Sequence, residues 1–207
     1  ITQGAGALGV AADKRAYVLF EVSSAAANEN MQERLLDFLE RNKALIDFDN
    51  SLLANNNSER ALFWNIREHC TEASKLHAGA NAVRFDTCVP LDKVAVAVAD
   101  TEARLKQKFG RYKFVAFGHW GDGNIHLHII SDKNDKSILD YKAAIEDIVL
   151  SYQVTELGGT ASAEHGFGRL TGKFKYYSKE HRKAMVELKA TFDKNNILNP
   201  GIAVPNT

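Results

Sequence analysis

Two histidines seven residues apart, His119 and His126, flank a glycine-rich stretch, GHWGDGNIHLH (118–128), and their type and spacing suit a divalent ion. Three glycines between 118 and 123 imply a tight turn. A hairpin closed by that turn would bring the two imidazoles together, and two such nitrogens suit a borderline metal. Side chains alternate along a strand, so Ile125, Leu127 and Ile129 share one face while Asn124, His126 and His128 share the other. Singly, each histidine is equally well read as a hydrogen-bonded surface group. A third ligand is offered by GGTASAEHGFG (158–168), where Glu164 stands beside His165 in a glycine-flanked loop. Two imidazoles and a carboxylate leave coordination positions open, as a catalytic site requires.

These loops need elements to position them. Ala16–Val22 reads as a strand, and Met31, Leu35, Phe38 and Leu39 recur at helical spacing within 28–42. Asn50 to Ser58 reads as a polar loop. Ser58 then caps a helix running through Trp64 and Ile66 toward Ala73. A strand follows at 82–89, a helix marked by Leu91, Val94, Val98 and Leu105 ends near Gly110, and strands return at 112–117 and 124–130. Ile145, Ile148, Val149 and Tyr152 define a long helix before Gly158, and Met185, Leu188 and Phe192 the last one. Short links between neighbouring strands favour an α+β fold with a largely antiparallel sheet flanked by helices. The expected division is a flexible lead-in over 1–14, an α+β domain over 15–157, and a catalytic loop with a helical segment over 158–207.

With 207 residues and 45% hydrophobic content, the chain can bury a substantial core. Its 26 basic and 26 acidic residues leave no net field for a polyanion, so nucleic acid is not an expected partner. Cys70 and Cys88 match no metal-ligand spacing and are too few for a disulfide framework, which fits a reducing compartment. No stretch has the layout of a signal peptide or the length of a membrane span. Gly166-Phe167-Gly168 before Gly172-Lys173 lacks phosphate-loop spacing, with Phe174 where Ser or Thr is required. Thr171 stands where a dinucleotide fingerprint needs its third glycine.

The segments GHWGDGNIHLHI, SAEHGFGRL and NNILNPG resemble three signatures of the C-terminal region of FAD-linked oxidases, the family of D-lactate, glycolate and D-2-hydroxyglutarate dehydrogenases. The likeness runs from about Arg15 to Pro205. It implies the cap or substrate domain of a vanillyl-alcohol-oxidase-type flavoenzyme, built from ferredoxin-like units, with FAD bound mainly by an N-terminal domain outside this chain. It further implies that His119, His126 and Glu164 hold zinc or manganese and that His165 is the general base. Arg67 and Thr71 in WNIREHCTEA, Arg84 in AVRFD, and Asn124 fall on the substrate side, and Asn199 is a flavin contact. Arg84 replaces a usual Lys, keeping charge but changing reach. His128 stands where the hydroxyglutarate enzymes carry Asn, so it either touches substrate or joins the metal, and Ile202 replaces a usual Lys.

The implied activity is oxidation of a small 2-hydroxy acid to a 2-keto acid by hydride transfer to flavin. The implied partners are that substrate, the FAD-binding domain, a quinone, cytochrome or electron-transfer flavoprotein as acceptor, and a second copy of the chain in a homodimer. The expected location is the cytoplasm or an organelle matrix, as a soluble protein with peripheral membrane association left open. Two other readings use the same residues: a metal-dependent ligand-binding module without redox activity, and a metal hydrolase in which Glu164 or His165 activates water.

Overall fold

The structure, a computed structural model, describes residues 16–26, 30–168 and 171–205, so the 1–14 lead-in lies outside the described residues. The chain divides into two compact units at Ala73/Ser74, which places position 157/158 inside the second.

In the first unit, α1 (Met31–Arg41) is capped by Asn30, whose side-chain oxygen accepts from Glu33 N at 3.1 Å. Met31, Leu35 and Leu39 are half-buried along one face, and the Phe38 ring meets Phe20 edge-on at 6.0 Å. Residues 16–22 pair with no strand among the described residues. β propensity needs a neighbouring ladder to become a strand, and this segment is instead held by side chains. Glu21 accepts from Arg60 Nη2 at 2.6 Å and from Trp64 Nε1.

The helix expected from Ser58 is capped two residues earlier and is broken in two, α2 (Asn57–Glu68) and α3 (Cys70–Ala78). Asn56, not Ser58, is the cap. It accepts from Glu59 N at 2.9 Å and donates back to Glu59 Oε1 at 2.9 Å, a reciprocal arrangement that outcompetes a lone hydroxyl.

The second unit carries β1 (Ala82–Cys88), α4 (Val94–Phe109), β2 (Lys113–Phe117) and β3 (Asn124–Ile130). The sheet order is β1-β3-β2 and both pairings are antiparallel, so β1 and β2 run parallel with β3 inserted between them. This split β-α-β arrangement is the α+β layout expected from the sequence. Val83 and Phe85 of β1 and Ile125, Leu127 and Ile129 of β3 turn one face inward. Val94, Ala97, Leu105 and Phe109 of α4, with Ile145, Val149 and Leu150 of α5 (Lys142–Leu150), cover that face. The opposite face carries Arg84, Asp86, Asn124, His126 and His128, with Phe117 of β2 beside them.

The last turns of the α5 stretch are a π-helix, Ser151–Glu156, not the continuous α-helix that the periodicity suggests. Gln153, fully buried, explains it. Its Oε1 accepts from Thr87 at 2.6 Å and its Nε2 donates to Thr101 at 2.9 Å. Widening the helix by one residue lets that amide reach both β1 and α4, and a buried amide left unpaired would cost about 1–3 kcal/mol.

The last helix, α6 (Lys179–Phe192), is capped by Ser178 and leads into a turn organised by Asp193. That carboxylate accepts from Lys189 Nζ, from Ile197 N at 3.0 Å and from Leu198 N at 2.9 Å. The Lys189 bond, reinforced by those two amides, holds the carboxyl below its ordinary 3.8. A depressed carboxyl stabilises the fold fully above its unfolded value and loses that contribution as pH falls through the lower folded value. Asp193→Ala should therefore lower the melting temperature at pH 7, with the gap to the parent protein closing below pH 3.8. A gap that widens in acid would refute the assignment.

Candidate functional site

The polar face of the sheet is set by register. β1 pairs with β3 so that Arg84 faces His128, Asp86 faces His126 and Cys88 faces Asn124, and β2 places Phe117 opposite His126 from the other side. His126 thus lies between a carboxylate and a ring, with the Phe117 centroid at 5.2 Å.

Around the turn, Gly123 has φ +77°, and a Cβ there would sit 2.2 Å from the Val89 carbonyl oxygen. Only glycine fits this close approach. His119 enters the turn exposed, and its carbonyl accepts from Asp122 N at 2.9 Å and Asn124 N at 3.2 Å. Asn124 ties the turn to β1: its Oδ1 accepts from His119 N at 3.3 Å and its Nδ2 donates to Asp86 Oδ1 at 2.9 Å.

The loop carrying Glu164 is fixed to the end of β1. Cys88 and Thr160 exchange backbone hydrogen bonds at 3.2 and 2.7 Å, and Gly159, whose Cβ would meet Cys88 O at 2.3 Å, permits that approach. Ala163 N then donates to Asp86 O at 3.2 Å. The result brings Glu164 Oε1 to 3.1 Å from His126 Nε2 and 3.4 Å from His165 Nε2. The His165 ring lies 6.3 Å from that of His126 and is largely open to solvent.

Among the described residues, one group offers three ligand atoms within 4.8 Å of one another: Asp86, His126 and Glu164. His126 and Glu164 are therefore together as the sequence suggests. His119 is not in this group, although it stands two residues beyond Phe117, the register partner of His126. Asp86 was not singled out by sequence reasoning. The signal was available, because Asp86 alternates with buried Phe85 and Thr87 and so shares the polar face with Arg84.

Burial raises the Asp86 carboxyl, but the amides of Glu164 and His165, with the nearby His126 and His165 rings, outweigh it and hold the group below its ordinary value. His128 is 4% exposed and its Nδ1 lies 2.8 Å from Ser74 Oγ. Burial first, then the charges of Arg84, His126 and Lys75, push it down to about 4, so it is uncharged at neutral pH. It too stands outside the three-residue donor group. Arg84 donates through Nη2 to Gly79 O at 3.3 Å, while its Nε is buried without a partner. Arg67 on α2 and Thr71 on α3 belong to the first unit. Asn199 is exposed on the C-terminal turn, at φ +50°.

Residues 2–202 match the family "FAD linked oxidases, C-terminal domain", and the chain belongs to it. The relatives it resembles include the mitochondrial D-2-hydroxyglutarate dehydrogenase of Danio rerio, 33% identical over 92% of this chain and 34% of the relative. The Bos taurus enzyme of the same name is 33% identical over 91% and 34%. A mitochondrial protein of Schizosaccharomyces pombe provisionally named a D-lactate dehydrogenase is 32% identical over 89% and 36%. The chain spans about a third of the length of these curated relatives.

Gly123→Ala should lower stability by at least about 1–2 kcal/mol, the cost of a left-handed alanine alone, with the 2.2 Å contact adding to it. Chemical denaturation measures this, and an unchanged midpoint would contradict the close approach.

Proposed function

We propose that the chain is the C-terminal catalytic and substrate-binding portion of an FAD-dependent D-2-hydroxyacid dehydrogenase, of D-2-hydroxyglutarate or D-lactate type, converting the hydroxy acid to a 2-keto acid. The observation that carries this reading is the delivery of Glu164 to 3.1 Å from His126 Nε2, with His165 next to it, on the polar face of the sheet.

The donors suit zinc or manganese. Two ligand atoms at about 2.0–2.1 Å from a tetrahedral ion lie about 3.3 Å apart, close to the 3.1 Å between His126 Nε2 and Glu164 Oε1. His126 and Glu164 would hold the ion, with His119, two residues beyond the register partner of His126, as the third protein ligand. When bound, the metal supplies Lewis-acid charge that favours the ionised form of a substrate hydroxyl, and FAD, held mainly by an N-terminal domain outside this chain, supplies the hydride acceptor.

The chain's own residues do the rest. His165 takes the C2 hydroxyl proton on an imidazole nitrogen, a role its solvent-open position permits. Arg84 pairs with a distal carboxylate of the substrate. The buried Arg84 Nε, without a partner, supports this, since an acceptor there would remove the cost of an unmade hydrogen bond. His128 hydrogen-bonds the substrate as a neutral ring. Asn124, already committed to His119 and Asp86, contributes by holding the turn against β1. Asn199 meets the flavin, and the electrons pass to a quinone, cytochrome or electron-transfer flavoprotein. A homodimer in an organelle matrix completes the reading; the location follows relatives named as mitochondrial, and no described helix is long and apolar enough to cross a membrane.

The test is a D-2-hydroxy acid screen with metal analysis on the full-length, flavin-loaded protein. His165→Ala should lower kcat by about 100-fold or more while metal content stays at the parent level. Unchanged turnover would sink the base assignment. Retained metal in His126→Ala would sink the ligand assignment, and metal binding without turnover of any D-2-hydroxy acid would favour a ligand-binding module.

A further inference from the structure

Asp86 sits close enough to His126 and Glu164 to pass for a metal ligand, yet its oxygens are already engaged. A carboxylate offers about four lone-pair directions. Oδ2 accepts from the backbone amides of Ala163 at 3.1 Å, Glu164 at 3.1 Å and His165 at 3.3 Å, with the Ser162 hydroxyl at 3.4 Å. Oδ1 accepts from Asn124 Nδ2 at 2.9 Å and faces His126 Nδ1 at 3.7 Å. Three successive amides converging on one oxygen form an anion nest, here occupied by the protein's own side chain. The Asp86 side chain is only 13% exposed, so these charge-assisted bonds are shielded from water.

The two nitrogens of His126 are divided in the same way. Nε2 points toward Glu164 Oε1 at 3.1 Å, and Nδ1 lies on the Asp86 side. At 3.7 Å this is an electrostatic contact beyond hydrogen-bond length, and it favours the ring orientation that turns Nδ1 toward the carboxylate.

We propose that Asp86 is a positioning residue and not a metal ligand: it clamps the 162–165 loop through an amide nest and orients His126 from behind, so that Glu164 and His165 are held in register with β3. This rests on the reading of His126 and Glu164 as metal donors and His165 as base. The clamp itself acts through hydrogen bonds that need no metal. Oδ2 reaches the loop, and Oδ1, through Asn124, reaches the 118–123 turn, so one carboxylate couples the two segments that carry the proposed chemistry.

The test compares Asp86→Asn, Glu164→Gln and the parent in the full-length, flavin-loaded protein, with zinc as the metal probe. Asp86→Asn should speed amide hydrogen exchange at 163–165 at least tenfold. It should also lower kcat at least tenfold with KM changed less than threefold, and leave the zinc stoichiometry at the parent value, whereas Glu164→Gln loses zinc. Zinc lost from Asp86→Asn with exchange at 163–165 unchanged would make Asp86 a ligand and overturn the proposal. Unchanged exchange with unchanged kcat would also overturn it. Should Asp86→Asn fail to fold, Ser162→Ala removes one donor from the same nest; two- to threefold faster exchange at these amides is expected, and no change refutes the clamp. If the parent itself binds no zinc, the metal reading fails, and the exchange measurement still decides the clamp.

Discussion

The antiparallel register of β1 on β3 places Asp86 opposite His126, and most of the site's geometry follows from that pairing. Because alternation has a period of two, a slip of β3 by one residue would turn His126 and His128 into the core and Ile125 and Leu127 out to the polar face. The buried side of both strands prevents it. Ile125 and Leu127 are fully buried against α4 and α5, so the hydrophobic core fixes which carboxylate meets which imidazole. Chemistry on one face of the sheet is thus specified by packing on the other.

The loop bearing Glu164 and His165 depends on a second coupling, through the π-helix. Gln153 reaches Thr87 on β1 with its side chain, and its backbone carbonyl accepts from Gly159 N at 3.0 Å. The helix therefore ends with its last residues anchored to the strand whose Cys88 pairs with Thr160. A regular α-helix would displace every following residue by part of a turn. π-turns of this type are costly in isolation and persist where a specific contact requires them. Here that contact is a buried amide bridging two elements.

Much of this was legible in the amino-acid sequence because it rests on local rules. Alternation around Ile125, Leu127 and Ile129 marked β3 and its polar face, and the glycines of 118–123 marked the turn. Legibility ended where a feature depends on partners distant along the chain. Residues 16–22 have strand composition, but no ladder among the described residues accepts them, and composition carries no information about a missing neighbour. The π-helix answers to Thr87 and Thr101, 66 and 52 residues away. Asp86 looked like an ordinary strand carboxylate because its meaning lies in amides near 163–165, which no periodicity connects to it.

His128 shows how the same frame can carry a different side chain without disturbing the rest. An imidazole beside Arg84 would be repelled if charged, and burial adds to that penalty, so the ring stays neutral and keeps a hydrogen bond to Ser74. Its edge-on contact with Phe117 at 5.0 Å supplies packing that a shorter amide could not. A neutral imidazole offers one donor and one acceptor, and with Nδ1 at Ser74 only Nε2 is left for another partner. His128 is therefore a neutral ring packed beside the Arg84 guanidinium.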